Sequence, residues 1–433
     1  MLRGRQPSRR GPDQSRVFGS NSAPGCSDRP SPKVPVYQRS ATPDAFIVPD
    51  PAKTHVRALD GMRGAAVLAV IAFHYLVFGA GWAGVQMFFV LSGFLITSIL
   101  LEERDSPFAF YLKRFYWRRS LRIFPLYFAC IGVIAIATAM ALGPAAAFLE
   151  QWPYLLTYTF NHACLWRECI YPWYWDHLWS LSVEEQFYLI WPALIFFLSR
   201  RALGWVLVGI VVATPFLRLA VEISFPGRIA GHRIGAIIYM LTACQLDAFA
   251  CGALVAYMPR HARVPNAVRL WRGASVALLA AGLANQWAIR HAARLLPLTI
   301  GFPVNAPFNY QSSWGYTLVN LWSATLVMTL LQENAVARFF RWGPLAHVGK
   351  ISYGVYIFHL PILVLARRHL GFFYTSTLLG QVLVFALYLA VTLAVSQVSY
   401  VWFERRFLAL KNIRFVRPAK TDIGEPSTVA AKP

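Results

Sequence analysis

The chain has 433 residues, of which 57% are apolar and 14% charged; ordinary soluble domains hold about 45–50% apolar and about 25% charged residues. This imbalance excludes a water-facing globular exterior and a disordered polypeptide, and it leaves lipid to cover much of the surface. The net charge is +22, from 41 Lys and Arg against 19 Asp and Glu, but long apolar runs separate the basic residues, so they read as orientation signals and not as a nucleic-acid surface.

Residues 1–57 are rich in Arg, Ser and Pro and lack hydrophobic periodicity. A disordered basic cytoplasmic tail is expected there. No apolar stretch follows Met1, so no secretory signal is expected. From Leu59 onward, apolar segments recur at the length a bilayer crossing needs, about 20 residues. They cover 59–78, 83–101, 122–142, 181–199, 203–220, 236–258, 273–289, 314–332, 350–367 and 376–402. The expected fold is therefore an all-α polytopic membrane protein with about ten transmembrane helices over residues 58–408, followed by a cytoplasmic tail over 409–433. Pro192, Pro215 and Pro361 fall inside spans, which membrane helices tolerate. With both termini in the cytoplasm, the basic cluster Lys113, Arg114, Arg118, Arg119 and Arg122 lies inside, as do Arg260, Arg263, Arg269 and Arg272. That is the side the positive-inside rule favours. No polar stretch between spans is long enough for a soluble catalytic domain, so chemistry falls to helices and short loops.

The candidates follow in chain order. An ionisable group inside a bilayer costs a few kcal/mol, which makes each one a functional candidate. In the first span, Arg63 and His74 are eleven residues apart, hence on one helical face and about 16 Å apart along the axis. Arg63 is expected near the cytoplasmic end and His74 deeper in the span. One could hold an anionic substrate while the other handles a proton; a snorkelling Arg and a merely hydrogen-bonded His are the other reading. Gly79, Gly81 and Gly84 fit a dinucleotide-loop spacing, but no strand precedes them, so the match is set aside. In the second span, Ser92 and Gly93 allow a ligand or another backbone to approach.

At the mouth of the third span, Arg118, Arg119 and Arg122 share a helical face. Their guanidinium forks suit phosphates, or else anionic lipid. Cys164 and Cys169 lie in one loop and could bridge in an oxidising compartment or remain thiols. Glu184 and Glu185 open the fourth span beside Tyr188; a helix dipole explains one such acid better than two. Asp247 has no evident partner in its own span, and Ser352 and His359 share a face of the ninth. No zinc-peptidase, serine-hydrolase or P-loop motif occurs, and no metal site is expected.

Six stretches, LDGMRGAAVLAVIAFHY, GVQMFFVLSGFLIT, RRSLRIFPLY, WSLSVEEQFYLIWP, LDAFACGAL and ISYGVYIFHLP, resemble in order one family. It comprises the integral-membrane acyltransferases called acyltransferase type three, which O-acylate bacterial surface sugars, lipid-linked glycans and some antibiotics. The resemblance spans residues 58–362 and implies a multi-pass enzyme of the bacterial cytoplasmic (inner) membrane. It points to Arg63 and His74 as the first-span pair, to Arg119 and Arg122 as the arginine motif, and to Glu184 or Glu185 as the fourth-span acid.

The reaction it implies moves an acyl group, acetyl by expectation, from acyl-CoA to a sugar hydroxyl. Arg118, Arg119 and Arg122 would hold the coenzyme A phosphates, and His74 would serve as general base or transient acyl carrier. Ser92, Asp247, Ser352 and His359 are the candidate substrate contacts. Acyl-CoA is a co-substrate and not a resident cofactor; a glycan or glycolipid acceptor and membrane lipid complete the expected partners. The chain departs from the family at Gln86, where many members carry Asp, and at Gln245, where many carry Arg. Both bear on the acceptor site. The family's longer members carry an esterase-like extension after the last span, and none is expected here. The rival reading is a secondary transporter of an acidic or sugar-linked solute, against which no internal repeat is visible. A lipid-linked glycosyltransferase is a weaker third reading.

Overall fold

The computed structural model describes residues 56–140, 145–166, 174–224, 231–258, 266–289, 298–303, 311–370 and 377–412. The tail expected over 1–57 and the Cys164–Cys169 pairing lie essentially outside them. The described residues form helices and connecting turns, with no strand among them.

The helices, in order, are α1 Arg57–His74, α2 Ala83–Glu103, α3 Phe108–Ala139, α4 Ala145–Leu156, α5 Phe160–Trp166, α6 Trp179–Phe197, α7 Arg200–Ser224 and α8 Gly231–Met240. They continue with α9 Leu246–Tyr257, α10 Ala267–Ile289, α11 Gln311–Leu330, α12 Ala335–Phe340, α13 Gly343–Lys350, α14 Ser352–His369, α15 Leu378–Ser399 and α16 Arg405–Ala409. Every expected span overlaps a helix. Five helical segments are long and apolar enough to cross a membrane, or seven if each of two bent pairs counts as one span. Large apolar side chains stand exposed along them, among them Trp205, Phe216, Leu189 and Leu378. Water would penalise such a surface and lipid would not.

Several boundaries differ from expectation, each for a local reason. The first helix ends at His74 and not at residue 78, because Leu76 takes a left-handed backbone conformation, φ 72°. His74 is thus the last helical residue and not a mid-span one. The third helix starts at Phe108, directly after Pro107, whose fixed φ suits a helix entry. The arginines expected at its mouth therefore lie inside it. The expected span 236–258 is broken between α8 and α9 by a 71° bend, and the span 350–367 joins α13 at a 75° bend. Between the expected spans 122–142 and 181–199 lie two further helices, α4 and α5.

Close approaches fix the packing around α1 and α2. A β-carbon on Gly252 of α9 would collide with the Val90 carbonyl of α2, and one on Gly93 of α2 with the Phe249 carbonyl of α9. The α2–α9 contact is the most extensive in the structure. Small residues there let the two backbones meet, the main device available where lipid supplies no hydrophobic drive. Gly349 of α13 sits as tightly against the Asp60 carbonyl of α1, which seats the α13–α14 elbow beside Arg63.

Candidate active site

Two adjoining cavities open where α1, α2, α3, α6 and α14 converge. The smaller, about 90 Å³, is lined by polar Arg63, Ser92, Arg119, Arg122, Ser180, Glu184, Tyr188 and Ser352, and by apolar walls including Phe88, Phe89 and Leu181. The larger, about 300 Å³, is lined among others by Asp60, Arg63, Arg119, Arg122, Lys350, Tyr400 and Glu404. Arg63, Arg119, Arg122 and Tyr353 belong to both walls, so three guanidiniums stand between the chambers.

Each arginine is held differently. Arg63 Nη1 donates to Asp60 Oδ1 at 2.8 Å, one turn back on α1. Arg119 lies over the Tyr188 ring, 5.3 Å from its centroid, a cation–π contact. Neither Arg119 nor Arg122 forms an ion pair among the described residues. The carboxylate nearest in function is Glu184, whose Oε1 accepts from Ser92 Oγ at 2.7 Å; Tyr188 donates to the same Ser92 at 3.3 Å. Asp60, Glu184 and Glu404 line the cavities too, but none of them is within ion-pair distance of Arg119 or Arg122 among the described residues; two such guanidiniums in a low-dielectric wall suit an anion.

The C-terminal end of α15 adds to this field. A wide π turn over Tyr400–Glu404 carries Tyr400 and Glu404 into the larger cavity. Just beyond, Trp117 Nε1 donates to the Leu410 carbonyl at 3.4 Å, which places Lys411 near the arginines. Burial, and then the fields of Arg122, Arg119, Arg118 and Arg63, push the Lys411 ammonium down to about 7.

At the other end of α1 a second polar group forms. His359 Nε2 lies 3.3 Å from His74 Nδ1. The His177 ring stands edge-on to His359, with centroids 4.9 Å apart. Tyr356 links this group to the smaller cavity: it lines that cavity, its hydroxyl meets Ser180 Oγ at 2.5 Å, and its ring contacts both His177 and His359. The smaller cavity thus runs from the guanidiniums toward the histidines.

The structure therefore brings Arg63, Arg119, Arg122, Glu184, Ser92 and Ser352 to one cavity, and His74 and His359 to one cluster beside its far end. Five expected residues line neither cavity. Arg118 turns to Glu103, 3.6 Å away, which it shares with Arg114. Glu185 does not reach the cavity, and its Oε1 is buried without a hydrogen bond among the described residues. Asp247 is no cavity residue but half of a fully buried ion pair with Arg218 of α7, supported by Thr317 Oγ1 at 2.7 Å. Its partner could not be found in its own span because it lies 29 residues away. His74 and His359 contact each other, and neither lines either cavity.

Residues not singled out in the sequence complete the site: His177, Ser180, Tyr356, Lys350 and Glu404. His177 alone had a visible signal, a histidine just before WSLSVEEQFYLIWP. The others needed the two elbows and the π turn.

A family model described as an acyltransferase domain matches residues 56–401. The Listeria monocytogenes peptidoglycan O-acetyltransferase OatA is 28% identical over 335 residues, 72% of this chain and 50% of that protein. The Staphylococcus aureus O-acetyltransferase OatA is 26% identical over 371 residues, 81% of this chain and 57% of that protein. The chain thus spans about half the length of the curated relatives it matches. No solved structure matches it.

Proposed function

The chain belongs to the acyltransferase-domain family, and from that membership we propose that it is a membrane O-acyltransferase moving an acyl group, acetyl first, from acyl-CoA to a hydroxyl of a glycan. The relatives named as O-acetyltransferases, one of them acting by its name on peptidoglycan, support the acetyl group and the glycan.

One observation carries the reading: Arg119 and Arg122, without ion-pair partners among the described residues, share the wall between a wide chamber and a narrow one with an apolar side. The wide chamber suits the phosphates of coenzyme A, which guanidinium forks bind bidentately. The narrow chamber suits an extended acyl-bearing arm reaching along Phe88, Phe89 and Leu181 toward Tyr356. Beyond it stands His74, eleven residues and about 16 Å along α1 from Arg63. In the reaction, the acceptor O–H gives its proton to His74 as the new C–O bond forms. The C–S bond breaks, and the departing sulfur recovers that proton as the free thiol. Ser92, held by Glu184 and Tyr188, and Ser352 line the path and are its polar contacts.

The same reading places the domain at 58–408 in the bacterial inner membrane, with about ten crossings and both termini in the cytoplasm. Purified protein in detergent, given labelled acetyl-CoA and glycan fragments, should transfer label to the glycan. A transporter would bind solute and transfer none, which would refute the proposal.

A further inference from the structure

Three imidazoles meet where the end of α1, the turn before α6 and the middle of α14 converge. The hydrogen bonds fix where their protons sit, because a backbone carbonyl only accepts. His359 Nδ1 is 2.6 Å from the Tyr356 carbonyl, so that nitrogen carries the proton. Neutral His359 then presents a bare Nε2. His74 Nδ1 is 3.0 Å from the Val70 carbonyl, so it too carries its proton on Nδ1. The same nitrogen lies 3.3 Å from the bare Nε2 of His359. One N–H is thus shared by two acceptors, and Nε2 of neutral His74 keeps its lone pair. His177 Nε2 is 3.1 Å from the Ile357 carbonyl and carries its proton there. Its bare Nδ1 accepts nothing among the described residues, so it brings no proton to compete for His359.

We infer that His359 is a positioning residue: with the Val70 carbonyl it holds His74 in the tautomer whose Nε2 takes the acceptor's proton. This rests on the acyl-transfer reading above and replaces the expectation that His359 touches substrate. When the acceptor proton moves to His74 Nε2, the imidazolium's Nδ1–H becomes a charge-assisted donor to His359 Nε2. When the sulfur leaves and takes that proton back, His74 returns to the same tautomer, ready for another turnover. The logic is that of a catalytic imidazole oriented by a partner at its second nitrogen, here a neutral imidazole and a carbonyl. Among the described residues, the neighbouring ionisable groups include Arg367 of α14, Tyr75, and Tyr388 of α15, which donates to the His359 carbonyl at 3.0 Å.

The test compares His359→Leu with His359→Gln in the full-length protein, because the Gln amide oxygen can still accept from His74 Nδ1–H and Leu cannot. Turnover should fall roughly 10- to 100-fold in His359→Leu, with the KM for acetyl-CoA unchanged. It should recover most of that loss in His359→Gln. The acid limb of the kcat profile should move to lower pH in His359→Leu, since a lost acceptor disfavours the His74 imidazolium. Equal losses in both variants with an unmoved acid limb, or full turnover in His359→Leu, would overturn the inference. An activity-independent readout is the nitrogen-15 spectrum of labelled histidines in lipid nanodiscs, with His74 assigned through His74→Gln. The proton should sit on Nδ1 of His74; finding it on Nε2 overturns the inference. If wild-type protein transfers no acyl group, the functional reading fails while the spectrum still decides the tautomer.

Discussion

Gln86 and Gln245 show how two departures from a family pattern can cancel. Where many acyltransferase type three members carry an acid and an arginine, this chain has two amides, and they touch: Gln86 Nε2 donates to Gln245 Oε1 at 2.7 Å, both fully buried. Gln245 in turn donates to the Tyr239 carbonyl at 2.7 Å. Neither lines either of the two cavities described above, and their contact joins α2 to the turn before α9. A neutral pair avoids the desolvation that a buried ion pair must overcome. Gln86→Asp alone should therefore lower thermal stability in detergent, and adding Gln245→Arg should restore it; additive losses in a double-mutant cycle would contradict the pairing. Lys411 gives a residue-scale prediction of another kind. Its ammonium, held near 7, is neutral above that pH and charged below it. A polyanion beside the arginines should draw a proton onto it. Affinity for coenzyme A should then strengthen as pH falls from about 8.5 to about 6.5, by at most about tenfold per pH unit for one linked proton. Lys411→Met should flatten that slope, and an unchanged slope in titration calorimetry would refute the linkage.

At the scale of elements, hydrophobic runs located the helices, and charge and proline located their interruptions less well. All ten apolar segments overlap helices because twenty apolar residues in lipid have little choice but to satisfy their own backbone. The start of α3 was hidden because FAFYLKRFYWRR is too basic for a span, yet it continues one after Pro107. That continuation moves Arg119 and Arg122 from a surface mouth to a wall opposite Glu184. The pairing of Arg63 with His74 on one face of α1 was legible from spacing alone. The meeting of His74 with His359 was not, because 285 residues separate them and periodicity carries no tertiary register. Arg118 looked equivalent to Arg119 for the same reason; only the packed helix shows that it faces Glu103. The α2–α9 seam offers an element-scale test. Gly252→Ala puts a methyl against the Val90 carbonyl, an overpacking that should cost about 1–3 kcal/mol and lower the yield of folded protein. Gly273→Ala on α10, where a β-carbon meets nothing within 4 Å, should be neutral, and similar behaviour of the two would argue against the seam.

For the whole molecule, the proposed function separates two tasks along α1. In the proposed reaction the guanidinium end would receive the donor's phosphates, and the histidine end, about 16 Å away, would perform the proton transfer. Orientation follows from charge: reporter fusions near residues 160 and 305 should report outside and a C-terminal fusion inside, and an outside C-terminus would change the number of crossings by one. The separation itself is tested most directly by measuring coenzyme A affinity and acyl-transfer rate together on wild type, Arg122→Ala and His74→Gln reconstituted in lipid. Arg122→Ala should lose one charge-assisted contact of about 1.5–3 kcal/mol, one to two decades of affinity. His74→Gln should keep affinity while its rate falls by roughly 10²-fold or more, since an amide can hydrogen-bond but cannot take up the proton. A His74→Gln protein that retains most of its turnover would contradict the account.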